Sequence, residues 1–175
     1  MMHKEFRFGY YEGGSYTVLQ LPYVGRQVAM MVLLPRSLEG IDELEHELTP
    51  ELFQDLTRQV NPRKVKVALP KFKFEYTKSM KETLKSLGLS KVFDGGAEFG
   101  GMSDSNLCVS NVVHKAVVEV NEEGSEAAAA TAVMIAKRCM KMLETPNFVV
   151  NHPFLFSIYD TESSAVLFLG RINEL

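Results

Sequence analysis

The stretch that decides the fold is Val118–Met140, with the sequence VEVNEEGSEAAAATAVMIAKRCM. It leaves a strand-like segment through acidic residues and Gly124, passes four consecutive alanines and reaches the basic pair Lys137–Arg138. Acidic, small and basic residues in this order are typical of an exposed loop with a small-residue hinge that a protease can cut. We therefore expect the functional site of the molecule to be an exposed loop rather than a pocket.

The alanine block, Ala127–Ala130, has two interpretations. Alanine is the best helix former and Glu126 suits the first turn of a helix, so propensity favours a helix. In a strand, the odd-numbered side chains would share one face, which changes from the small Ser125 to the bulky Ile135. The even-numbered side chains would share the other face, which begins with the charged Glu126 and continues with small residues. Such a strand could slip between existing strands with little steric resistance, and Gly124 would supply the bend where the loop leaves its parent strand.

Composition limits the classes of protein to consider. The chain has 175 residues, of which 46% are hydrophobic and 23% charged, which is enough for one domain with a real core. A net charge of -3 gives no global electrostatic case for nucleic acid as a partner, and no apolar run has the roughly 20 residues that a membrane helix needs. The two cysteines, Cys108 and Cys139, do not indicate a disulfide scaffold, and the scattered histidines predict no metal or cofactor site.

Hydrophobic periodicity predicts an α+β chain. The first helix is predicted over 41–48. A second is predicted to begin with Thr49 as its N-cap and Pro50 at its first position, and a third is predicted over Thr77–Leu87. The segment Cys108–Val120 carries apolar residues on both faces, so it needs strands at both edges and cover on both sides. Strands are predicted at Glu5–Tyr11, Tyr16–Pro22, Gln27–Leu34, Lys64–Leu69, Pro70–Phe74, Cys108–Val120, Phe154–Tyr159 and Ala165–Ile172.

Two motifs resemble the serpins, a family of serine protease inhibitors. The segment Phe148–Ile158 looks like the C-terminal signature of the family. The other motif resembles the proximal hinge of inhibitory members and consists of Glu122, Glu123, Gly124, Ser125, Glu126, Ala127, Ala128, Ala129, Ala130 and Thr131. The resemblance covers Lys4–Leu175 and implies a serpin-like α+β fold of several sheets, with mostly antiparallel strands and a few helices.

The resemblance also implies a function and roles for individual residues. The chain is expected to be an inhibitor of the suicide-substrate type and not an enzyme, with the bait bond at Arg138–Cys139. Arg138 would direct it to trypsin-like serine proteases. His114 matches the shutter histidine of the family, and Lys71 and Glu122 match a pair near the insertion point of the loop. After the cut, the loop would insert into the main sheet as a new strand and carry the protease with it.

The family's domain is much longer than this chain. Residues 1–175 are therefore expected to be the C-terminal half of a serpin domain, with the reactive loop at about 122–146. The strand Cys108–Val120 would form one wall of the insertion gap, and the other wall is not in this sequence. We expect such an incomplete domain to be cut at Arg138 but not to trap a protease by itself.

Alternatives remain open. The chain could be a non-inhibitory serpin that acts as a carrier or chaperone, although alanines in the hinge disfavour this. A glycosaminoglycan is a second candidate partner. It would bind a basic set composed of Arg63, Lys64, Lys66, Lys71 and Lys73. His114 is also expected to be a hydrogen-bonded core histidine, and the expected location is extracellular, with the cytoplasm as the alternative.

Overall fold

The computed structural model describes residues 2–121 and 145–174, with the side chains of 2–7 outside the description. The hinge Glu122–Thr131 and the bait residues Arg138 and Cys139 lie outside the described residues. Two compact units are present. The first contains residues up to Phe72 and from Val120 onward, and the second is Lys73–Glu119.

Nine strands, three α-helices and a short 3-10 helix make up the described residues. The helices are α1 (Ile41–Glu47), α2 (Pro50–Gln59) and α3 (Lys81–Ser86), and the 3-10 helix is Lys91–Phe93. The strands are β1 (Met2–Glu12), β2 (Tyr16–Pro22), β3 (Val28–Pro35), β4 (Asn61–Leu69), β5 (Phe72–Ser79), β6 (Val113–Val120), β7 (Asn147–Val149), β8 (Phe154–Asp160) and β9 (Val166–Ile172). This confirms the predicted α+β class.

Seven strands form one sheet in the order β7-β4-β1-β2-β3-β8-β9. The pair β4–β7 is parallel and the other pairs are antiparallel. The predicted hairpin is confirmed, since β1 and β2 pair up to Glu12 and Thr17, and the Gly13 N–H donates to the Tyr16 carbonyl at 3.0 Å. Strand β3 is buried along its length after Val28, as its continuous apolar run predicts.

The helix starts agree with the sequence. Thr49 caps α2, because its side chain accepts a hydrogen bond of 3.2 Å from the Leu52 N–H, and Pro50 occupies the first position. The apolar stripe of α2 then buries Phe53, whose ring meets that of Tyr159 edge-on with centroids 5.3 Å apart. The helix thereby covers one face of the seven-stranded sheet, where Val18, Met31, Leu33 and Leu155 join the same buried cluster.

Two element boundaries in the second unit were predicted wrongly. The helix expected over Thr77–Leu87 spans only Lys81–Ser86, because β5 continues to Ser79, and no residue of α3 is buried. The strand expected from Cys108 begins at Val113. The residues before it bond to other segments of the unit, since Val109 donates to the Val92 carbonyl and Val112 accepts from the Met80 N–H, each at 2.8 Å.

Candidate functional site: the two anchors of the bait loop

The first anchor is β6, which ends at Val120, two positions before the predicted hinge. It pairs with β5, and two ion pairs cross the strands, Lys73–Glu119 at 3.4 Å and Lys115–Glu75 at 2.9 Å. Residue numbers rise along one strand as they fall along the other, so β5 and β6 run antiparallel. These side chains are about half exposed, and such pairs contribute about 0.2–1 kcal/mol each.

The second edge of β6 is the feature that suits strand insertion. Within the described ranges, β5 is the only strand that pairs with β6. Val118 is buried, whereas Val113 and Val117 are 62% and 45% exposed. A strand edge without a described partner, beside exposed valines, can serve as a template on which a further strand pairs.

The structure describes two of the three residues predicted for the shutter and the insertion point, His114 and Lys71, and both are exposed. His114 lies near the start of β6 and is exposed, so the expectation of a core histidine is wrong. The physical reason is that β6 belongs to a sheet of two described strands and most of its residues are exposed. Lys71 is exposed between β4 and β5, and Glu122 lies outside the described residues. The shutter role and the Lys71–Glu122 pair stay predictions.

The second anchor is β7, where the chain returns to the sheet after the predicted loop. The Lys66 N–H donates to the Pro146 carbonyl at 2.9 Å, and the Val150 N–H donates to the Ala68 carbonyl at 2.9 Å. Phe148 between these bonds is fully buried at 1% exposure. The sequence analysis did not predict this strand, although the run Phe148–Val150 is rich in residues that favour strands.

The motif that follows β7 fixes this anchor to the rest of the first unit. The Nε2 atom of His152 donates to the Pro35 carbonyl oxygen at 2.7 Å, which joins the segment before β8 to the end of β3. Phe154 and Phe156 of β8 are buried, and the ring of Phe72 contacts both, with centroids 5.8 and 5.7 Å away. The residues of the C-terminal signature therefore hold the loop's return point in a packed core.

A family model for "Serpin (serine protease inhibitor)" matches residues 1–175. The chain belongs to the serpin family. Iripin-5 of Ixodes ricinus is 45% identical over an alignment of 177 residues that covers 99% of this chain and 45% of that protein. Serpin B6 of Macaca fascicularis is 46% identical over an alignment of 167 residues that covers 93% of this chain and 44% of that protein.

A solved structure supports the same fold. The crystal structure of the thermophilic serpin Tengpin in its native state matches with a TM-score of 0.73 and 32% identity, covering 99% of this chain and 46% of that one. The chain thus spans less than half the length of the relatives it matches. Serpins are a family of protease inhibitors and not of enzymes, in agreement with the expectation from the motifs.

The basic residues predicted to bind a glycosaminoglycan do not share one strand face. Arg63 and Lys64 are neighbours on β4, so their side chains leave opposite faces, and the Arg63 guanidinium lies 5.8 Å from the centre of the Tyr10 ring. Lys64 and Lys66 share a face and are exposed. Lys73 lies in the second unit and pairs with Glu119.

Metal-binding clusters and membrane-spanning helices are two further features that residues 2–121 and 145–174 could contain. No group of three or more metal-binding side chains comes together there. Their longest α-helix, α2, has ten residues, and none of the described helices is long and apolar enough to cross a membrane.

Proposed function

We propose that this serpin chain supplies the bait loop and one wall of the insertion gap of a suicide-substrate inhibitor of serine proteases. The observation that supports this most strongly is the position of β6. Its second edge has no strand among the described residues, and the strand ends at Val120, directly before the hinge sequence that starts at Glu122. A cut loop attached there could add to this edge as a new strand.

The proposed bait bond is Arg138–Cys139, aimed at trypsin-like proteases. An arginine guanidinium fits a specificity pocket with a buried acid, as in trypsin. The protease would attack the Arg138 carbonyl carbon with its serine oxygen, and the bond to the Cys139 nitrogen would break as that nitrogen takes up a proton, leaving an acyl-enzyme. Insertion of the hinge before water arrives would then hold the protease in that state.

Trapping needs a strand on each side of the inserting loop. The described residues provide β6 on one side, and the relatives are more than twice as long as this chain. We therefore propose that residues 1–175 alone are cut without trapping. The carrier and glycosaminoglycan alternatives have less support, because the hinge is built of alanines and the basic set is divided between strand faces. The extracellular location stays a prediction.

A comparison of two proteases and two chains tests this proposal. Two chains that both carry Lys137→Gln, one with Arg138 kept and one with Arg138→Val, are each incubated with trypsin and with elastase. The products are separated on a denaturing gel and identified by mass. We expect trypsin to cut after position 138 only in the chain that keeps Arg138, elastase to cut there only in the Arg138→Val chain, and neither reaction to leave a complex that survives denaturation. Unchanged preference in the variant would contradict the bait bond, and a covalent complex would contradict the need for a second wall.

A further inference from the structure

We propose that Lys64 and Lys66 form a docking surface that favours target proteases with an acidic surface beside their active site. The inference rests on the proposed bait bond at Arg138–Cys139. It adds a determinant of specificity that lies outside the loop, on strand β4 of the first unit.

The chain enters β7 from the side of the sheet on which the two lysines lie. Asn147, the first residue of β7, is in register with Lys66, and the two strands run parallel. The chain therefore arrives from the side on which β4 extends toward Asn61. Lys64 lies on that side, about 7 Å before Lys66 along the strand. Both lysines thus flank the point where the predicted loop rejoins the sheet.

Chain length makes this anchor the nearer one to the bait bond. From Cys139 to Asn147 is eight residues, which can span at most about 28 Å. From Val120 to Arg138 is 18 residues, which can span up to about 60 Å. A protease interface covers about 800 Å² on each partner, or roughly 30 Å across. A protease bound at Arg138 can therefore reach Lys64 and Lys66.

The charge of the two side chains selects the partner. Lys64 and Lys66 are exposed and leave the same face of β4, whereas the neighbouring Arg63 leaves the other face and lies over Tyr10. In the register of β1 with β4, Arg7 lies opposite Lys64 and Glu5 opposite Lys66. Three of these four residues are positive, in a chain whose net charge is -3. Ammonium groups at the rim of an interface act mainly on the rate of association, and they speed the approach of an acidic surface.

Cationic and anionic trypsin are suitable probes, because both cut after arginine but their surfaces carry opposite net charge. The measurement is kcat/KM for cleavage at Arg138–Cys139, followed by mass spectrometry of the intact chain and its fragments. It is repeated between about 0.01 M and about 1 M salt, over which the Debye length falls from about 30 Å to about 3 Å.

Charge reversal tests the two lysines. In Lys64→Glu and Lys66→Glu, we expect cleavage by anionic trypsin to fall about tenfold at low salt and the loss to vanish at high salt. Cationic trypsin should cut these variants as fast as wild type or faster. Arg36→Glu is the matched control, since the exposed Arg36 follows β3, three strands from β4 and about 14 Å away across the sheet. It should leave both rates unchanged.

The outcomes separate the two proposals. Equal losses in Arg36→Glu and in the lysine variants, or equal losses with both trypsins, would overturn the docking surface and leave the bait bond standing. Absence of cleavage at Arg138 by either trypsin would overturn both. A third outcome would overturn the docking surface in favour of a polyanion site. In that case heparin would inhibit cleavage by anionic trypsin in wild type but not in the lysine variants, and without heparin the cleavage rate would not depend on salt. Lys64→Gln and Lys66→Gln should give a smaller loss with an unchanged melting temperature, which separates charge from misfolding.

Discussion

His152 donates a hydrogen bond of 2.7 Å from Nε2 to the carbonyl oxygen of Pro35, 117 residues earlier in the chain. This bond ties the segment between β7 and β8 to the end of β3. It therefore fixes the position at which the loop's second anchor leaves the sheet. Pro35 is buried, so its carbonyl would be left without this partner if the imidazole were removed.

The first prediction concerns this bond. His152→Ala should lower the free energy of unfolding by about 1–3 kcal/mol, because a buried carbonyl loses its donor. The urea midpoint at fixed pH measures the change. His46→Ala, at an exposed position in the last turn of α1, is the control and should shift the midpoint much less. Equal shifts in the two variants would contradict the role of the Pro35 bond.

The second prediction concerns Ser157. Its side chain is fully buried, and among the described residues its hydroxyl has no hydrogen-bond partner. Because an unsatisfied buried hydroxyl destabilises a fold, Ser157→Ala should raise the free energy of unfolding by about 1 kcal/mol. Thermal melting measures it, with the exposed Ser15→Ala as the control. A lower melting temperature for Ser157→Ala would show that the hydroxyl is satisfied.

The third prediction concerns the pairing of β8 with β9. A Cβ atom added at Gly170 would lie 2.5 Å from the Cε1 atom of Phe156, a ring with 0% exposure. Gly170→Ala should therefore destabilise the chain by about 1–3 kcal/mol through overpacking. Gly14→Ala is the matched control, since nothing lies within 4 Å of its Cβ. Adding Phe156→Leu to Gly170→Ala should recover part of the loss, and no recovery would locate the strain elsewhere.

The fourth prediction concerns alkaline pH. Burial raises the pKa of Tyr159 above its ordinary value of 10.0, and the hydrogen bond from Gln20 partly offsets the rise. The folded state thus keeps its proton at a pH where the unfolded state loses it. The resulting stability is complete below the ordinary pKa and is lost as the pH rises through the folded pKa.

Tyr159→Phe tests that dependence. The urea midpoint of the wild-type chain should fall between about pH 9 and about pH 11, and it should fall less in Tyr159→Phe. Tyr76→Phe is the control, because Tyr76 is 47% exposed. Identical slopes for wild type and Tyr159→Phe would contradict the assignment of the pH effect to the buried phenol.

Local patterns predicted some elements well. The hairpin at Glu12–Thr17 and the Thr49 cap depend on neighbours in sequence, and the structure confirms both. The helix predicted at Thr77 failed because Thr77–Ser79 continues strand β5, so pairing with β6 overrides the helical spacing. The anchor at Lys66 and Asn147 joins residues 81 positions apart, and no local pattern reports such a pairing. His114 was expected to be a core histidine, but the described part of its sheet leaves it exposed.

The most direct test of the central claim is the site of the first cut by a trace amount of trypsin, read by the mass of the intact fragments. The account predicts that the first pair of fragments separates after Arg138, with Cys139 at the new N-terminus. Because Lys137 is a second possible site for trypsin, the double variant Lys137→Ala/Arg138→Ala should remove cutting at this pair and leave the chain whole for longer. One competing site is Arg26, which is exposed in the turn between β2 and β3. A first cut after Arg26, with Arg138–Cys139 still intact, would contradict the account.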